Sequence, residues 1–207
     1  ASGDYAGINS YEEAKAFLLE VLHSDAPFVA MDTEGTALAP RDGYVLGISI
    51  SHKPKFGRYI STDLLDDILL GIVQEIINEY IIVFHNLKYD VKMMEYHLGL
   101  VFNRATCEDT MIMHYVLDEN DSHGLKHLAL KYTDFGDYDS ELEEFKANYC
   151  RTHGIKNEDF TYDLIPFEII CRYASIDTAV TFFLRDKFIP IIMANTKLLG
   201  VYRMLMR

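Results

Sequence analysis

The chain has 207 residues, 49% of them apolar and 25% charged, a composition that builds a globular core without disulfides or a structural metal. Its 32 acidic and 19 basic residues leave a net charge of −13, which argues against a protein that grips nucleic acid chiefly by neutralising phosphates. Three cysteines without metal-ligand spacing (Cys107, Cys150, Cys171) point to reduced thiols in an intracellular compartment, and no apolar run reaches the roughly 18 residues of a membrane span. No membrane partner is therefore expected. A site that holds a strand end through metal ions stays open, because it needs clustered carboxylates rather than overall positive charge.

The spacing predicts an opening helix over residues 10–23, with Ser10 and Glu13 as a capping box and Ala14, Phe17, Leu18 and Val21 on its buried face. Pro27 ends that pattern, and Phe28–Met31 reads as a short buried strand running into Asp32. Tyr44–Ser51 and Gly57–Ile60 read as strands joined across a turn at Lys53-Pro54-Lys55. A long amphipathic helix is expected over 62–80, a strand over 81–84, and a helix from Leu87 to Leu98 ending at Gly99. Further helices are expected near 109–117, 124–132, 140–151 and 167–188, with the acidic stretch 133–144 as a solvated loop and helix face. Strands first and crossover helices after make the fold class α/β, with a central mixed β-sheet flanked by α-helices.

Three sets of residues carry chemistry. Asp32 and Glu34, two apart at the end of a buried strand, point to one face, where two acids repel unless a cation lies between them. A pair of solvent-facing acids is the plainer reading of that motif alone. Asn86 is placed to cap the helix after Phe84, and Asp90 falls in that helix's first turn, at a strand–helix junction of the kind where α/β sheets bind ligands. Tyr173 and Asp177 share a helical face four residues apart, so a phenol can hold a water beside a metal-bound carboxylate.

Taken together, Asp32-x-Glu34, Asn86-x-x-x-Asp90 and Tyr173-x-x-x-Asp177 resemble the three motifs of DEDD exonucleases of the tyrosine subgroup. The longer runs Asp32–Leu38, His85–Asp90, Glu108–Met111 and Tyr173–Thr181 are similar to the 3′–5′ proofreading domain of family A DNA polymerases, from about Phe28 to Phe188. The resemblance implies a ribonuclease H-like fold and hydrolysis of phosphodiester bonds at DNA 3′ ends. It also implies two divalent ions, Mg²⁺ or Mn²⁺, with Zn²⁺ as an alternative at one site. Asp32 would bridge the ions, Glu34 and Asp177 would complete the water-activating site, and Asp90 would support the second ion.

Tyr173 would orient the attacking water. Thr33, Leu38, His85, Asn86 and Tyr89 would contact the 3′-terminal nucleotide, Leu38 as an apolar wedge; core packing is the competing reading for Leu38 and Tyr89. Two departures stand out: Ser122 replaces an expected Arg, and residues 134–165 match no family pattern. Residues 1–190 are expected to form the exonuclease domain, and the apolar, basic segment 191–207 to be helical and to lead to a polymerase domain. The expected partner is a single-stranded or frayed DNA 3′ end, in a bacterial, phage or organellar setting. A ribonuclease D-like RNA 3′ exonuclease and a catalytically idle binding module remain as alternatives.

Overall fold

A computed structural model describes residues 2–36 and 41–207 of the chain. Its strands are β1 (Asp4–Ile8), β2 (Val29–Gly35), β3 (Val45–Ser51), β4 (Phe56–Ser61), β5 (Ile82–Phe84) and β6 (Cys107–Asp109). Its α-helices are α1 (Tyr11–Leu22), α2 (Asp67–Glu79), α3 (Leu87–Leu98), α4 (Thr110–Leu117), α5 (Leu125–Tyr132), α6 (Ser140–His153), α7 (Phe167–Met193) and α8 (Thr196–Leu205). The strands form one mixed sheet in the order β1-β4-β3-β2-β5-β6. β3 is antiparallel to both its neighbours; β1–β4, β2–β5 and β5–β6 pair in parallel.

The alternation of β2 decides where the site lies. Val29 and Met31 join the large core shared with α1, α2 and α3, whereas Ala30 packs with Phe28, Val83 and Phe182 of α7. Asp32 and Glu34 continue the α7 face and Thr33 the α3 face, as a period of two requires. α7 comes unusually close to the sheet: a Cβ at Gly57 of β4 would lie 2.0 Å from the Ser175 carbonyl oxygen. That glycine lets the helix settle on the strands at the turn between Tyr173 and Asp177, and so sets the depth at which both side chains arrive.

Several expectations hold in detail. Ser10 accepts a hydrogen bond from Glu13 N at 3.2 Å, and Ala14, Phe17, Leu18 and Val21 are the buried residues of α1. α3 ends at Gly99 in the left-handed region, φ +67°. Other expectations need correction. The helix expected over 62–80 is a 3-10 turn at Thr62–Leu64 followed by α2, because the Asp66 carboxylate accepts from Leu69 N at 2.9 Å and starts a new helix there. Asn86 occupies the position before α3 with φ 76°, but its side chain does not cap the helix; Asp109 accepts from Asn86 N (3.1 Å) and Leu87 N (2.9 Å) instead.

The stretch 133–144 is not merely a solvated face: Phe135 and Leu142 are buried, and Tyr138 turns inward to the site. α7 runs through Pro190 to Met193, across the expected domain boundary at 190. α8 folds back onto α4 and α7, and its buried Tyr202 accepts a hydrogen bond from Asp109 N at 3.3 Å.

Candidate active site

Asp32 and Glu34 from β2 meet Asp177 from α7, with one ligand oxygen from each lying within 4.8 Å of the others. Glu34 and Asp177 are buried and Asp32 is half-buried. Glu34 Oε1 is buried without a hydrogen-bond partner among the described residues. An orphaned carboxylate oxygen is costly to bury, and the donor set is hard, anionic and rigidly mounted. These residues fit a divalent cation.

Asp90 is not one of these three, but it adjoins them: its carboxyl shares a side-chain hydrogen bond with Asp32. It is buried at the start of α3, and its Oδ1 accepts from Thr33 N (3.2 Å) and Thr33 Oγ1 (2.6 Å). Thr33, expected to touch substrate, therefore uses its hydroxyl to fix a carboxylate. On the α7 side, Lys126 Nζ lies 3.0 Å from Asp177 Oδ1, and the Tyr138 hydroxyl donates to the same oxygen. Tyr173 lies between Tyr138 and Tyr162, with ring centroids 6.0 and 6.2 Å away.

The electrostatics follow from crowding acids in a dry place. Burial pushes the Asp32 carboxyl well above the usual range, and the charges of Asp90, Glu34 and Asp177 push the same way. Burial and Asp177 do the same to Glu34. Asp90 is raised by burial to about 7, against the pull of its Thr33 hydrogen bonds. Burial and the neighbouring carboxylates Asp177 and Glu34 hold the Tyr173 phenol well above its ordinary value, so it stays protonated. Burial works against the Lys126 charge, but Asp177, then Glu34 and Asp32, outweigh it and raise its pKa.

A cleft of about 920 Å³ opens beside Glu34. Its lining includes Thr33 of β2, Asn86 and Tyr89 at the start of α3, Lys146 of α6, and Phe160 and Tyr162 between α6 and α7. Asn86 is exposed there, freed from capping by Asp109. His85 is differently placed: Nδ1 lies 2.8 Å from Thr110 Oγ1 and Nε2 lies 2.7 Å from the His123 carbonyl oxygen. With both nitrogens occupied, His85 braces β5 against α4 and the loop before α5 rather than reaching a nucleotide. Leu38 lies outside the described residues.

Four residues at or behind the site escaped the motif reading: Lys126, Tyr138, Tyr162 and Asp109. Lys126 left a faint trace, since a cation in the first turn of a helix opposes the dipole and invites a reason. Asp109 sat inside the matched Glu108–Met111 run, but its reach to the start of α3 depends on β5 and β6 pairing.

Sheet order and site together define an α/β protein of the ribonuclease H-like fold, with carboxylates from the central strand and from the helix crossing it. The fold recurs in Escherichia coli RNase D, an exoribonuclease involved in structured RNA processing (TM-score 0.73, 16% identity, 98% of this chain and 49% of that one). It recurs also in the catalytic core of RRP6 from Trypanosoma brucei (TM-score 0.66, 17% identity, 95% of this chain and 50% of that one). At such identities the likeness speaks for the fold alone.

The 3′–5′ exonuclease family matches residues 5–193, and the chain belongs to it. It is similar to the DNA polymerase of Escherichia phage T5, 49% identical over 208 residues, covering 97% of this chain and 24% of that protein. It is also similar to the DNA polymerase I of Synechocystis sp., 28% identical over 176 residues, covering 80% of this chain and 17% of that protein. The chain thus spans about a quarter or less of the length of these relatives.

Proposed function

We propose that this domain removes nucleotides from DNA 3′ ends, one at a time, as the proofreading part of a DNA polymerase. The observation that carries the reading is the convergence of Asp32, Glu34 and Asp177 within 4.8 Å, with Glu34 Oε1 buried and without a partner among the described residues. These three side chains would hold divalent ions, Mg²⁺ or Mn²⁺, with Asp90 supporting a second ion from α3. Ions bound there supply an activated hydroxide and relief of charge on the leaving oxygen. Tyr173, kept protonated, holds a water by hydrogen bonding and does not act as a base.

Tyr89, Asn86, Phe160 and Tyr162, which line one cleft, suit a nucleotide whose base is gripped by its face. Stacking takes any base, which suits removal of whichever nucleotide is wrong. Leu38 belongs to the same role as an apolar wedge. That the relatives are DNA polymerases several times longer than this chain supports a polymerase domain beside this one, and their phage and bacterial sources, with three buried free cysteines here, fit a reducing intracellular compartment. No helix among the described residues is long and apolar enough to cross a membrane.

The test is digestion of 5′-labelled single-stranded DNA and matched RNA with Mg²⁺, Mn²⁺ or EDTA. The expected result is a ladder shortening from the 3′ end, faster on DNA, and silent in EDTA. Faster cleavage of RNA would overturn the substrate assignment, and binding of DNA without cleavage would make the domain an idle module.

A further inference from the structure

Lys126 sits where local chemistry disfavours it. It opens α5, at the positive end of the helix dipole, with only 34% of its side chain exposed. What holds it there is Asp177, whose Oδ1 lies 3.0 Å from the ammonium and is its only ion-pair partner among the described residues. The ammonium also lies over the ring of Tyr173, 4.5 Å from its centroid, and over that of Tyr138 at 5.4 Å. The Tyr138 hydroxyl donates to the same Asp177 oxygen. One carboxylate of the cluster is thus already satisfied by protein donors, while Glu34 Oε1, a few ångströms away, is not.

We propose that Lys126 is the resident counter-ion of the carboxylate centre: it holds Asp177 in place in the metal-free protein and must yield that oxygen when a divalent ion loads. The proposal rests on the reading of Asp32, Glu34 and Asp177 as metal ligands. Two kinds of cation then compete for one carboxylate. The ammonium is tethered and always present, so it keeps the acids from driving one another apart before the ion arrives. A divalent ion on the same carboxylate meets that positive charge at close range, so its affinity is set below what three acids alone would give. On displacement the ammonium stays on α5 beside Tyr173 and Tyr138, at the rim of the site. Lys126 is in this sense a positioning residue for Asp177.

Calorimetric titration with MnCl₂ alone separates the possibilities, using the wild type, Lys126→Met and Lys131→Met. Lys131 lies on the same helix but pairs with Asp121 and Asp118, away from the cluster. Lys126→Met is expected to bind Mn²⁺ about tenfold more tightly, a gain of about 1.4 kcal/mol. Its metal-free Tm should be lower and its Tm rise on adding Mn²⁺ larger; Lys131→Met should bind like the wild type. Unchanged or weaker affinity in Lys126→Met, or an equal gain in Lys131→Met, overturns the proposal.

A measurement on the wild type covers the case in which Lys126→Met does not fold. Acetylation of Lys126, mapped by mass spectrometry, should quicken when Mg²⁺ replaces EDTA; equal protection in both overturns the displacement. A wild type that binds no Mn²⁺ would remove the metal reading and this proposal with it. A wild type that binds while Lys126→Met is unmoved would remove this proposal alone.

Discussion

Replacing Asp32 by asparagine keeps the shape of the side chain and removes its charge from a site where several acids crowd together. Its carboxyl titrates well above an ordinary aspartate through burial and through Asp90, Glu34 and Asp177. Each pKa unit of that displacement corresponds to about 1.4 kcal/mol between the two protonation states. One like charge at 4.8 Å, in an effective dielectric of about 20, repels by about 3 kcal/mol. Allowing for the partial exposure of Asp32 and for the balancing Lys126, Asp32→Asn is expected to stabilise the metal-free domain by about 1–3 kcal/mol. For a domain of this size that raises Tm by about 2–12 °C.

The same change removes a ligand, so the Tm gain that Mn²⁺ gives the wild type should shrink or vanish. The rate of 3′-end cleavage should fall by about 10²–10³-fold or more, the scale of losing one preorganised charge interaction. The assay is thermal unfolding in EDTA and in Mn²⁺, with end-labelled single-strand digestion in parallel. A lower metal-free Tm in Asp32→Asn, or an undiminished Mn²⁺ increment, would refute the reasoning.

Other consequences follow from the same geometry. The raised carboxyls of Asp32, Glu34 and Asp90 contribute stability that is full below about pH 4, where folded and unfolded chains both hold these protons, and that is lost as pH rises through about 7, where Asp90 titrates. The metal-free Tm should therefore fall between pH 5 and 8, and Mn²⁺ should reverse the fall; a flat or rising Tm in EDTA would contradict this. Tyr173→Phe should cut the rate about 10–10²-fold while Mn²⁺ affinity, measured by calorimetry, stays within about twofold, because the hydroxyl's bonds to the water and to Tyr162 are lost and every carboxylate is kept. Asp109→Ala leaves Asn86 N, Leu87 N and Met111 N without their acceptor and should cost about 3–5 kcal/mol, read as a drop in the denaturation midpoint at unchanged slope.

The carboxylates were legible in the sequence because each sits in a pattern that survives without tertiary knowledge. Asp32 and Glu34 end an apolar strand at a period of two, and Tyr173 and Asp177 share a helical face. α1 and α3 were legible for the same kind of reason, since Ser10 and Gly99 mark their ends by local chemistry. What stayed hidden depends on distant partners. β1 and β6 are short and form by pairing with β4 and β5, with little periodicity of their own. Asn86 looked like a cap, but Asp109 from another strand does the capping. The helix expected over 167–188 runs on to Met193, where it packs against α8. Lys126 and Tyr138 reach Asp177 from residues 51 and 39 positions away, a juxtaposition no local pattern encodes.

The central claim is that Asp32, Glu34 and Asp177 hold the ions on which 3′-end hydrolysis depends. Mn²⁺ binding and single-strand cleavage should be followed across one Mn²⁺ titration, in the wild type and in Glu34→Gln, whose buried Oε1 has no hydrogen-bond partner among the described residues. The account predicts that binding and rate rise together in the wild type, and that Glu34→Gln loses both by about 10²-fold or more. A Glu34→Gln variant that binds Mn²⁺ and cleaves as the wild type does would place the metal centre elsewhere.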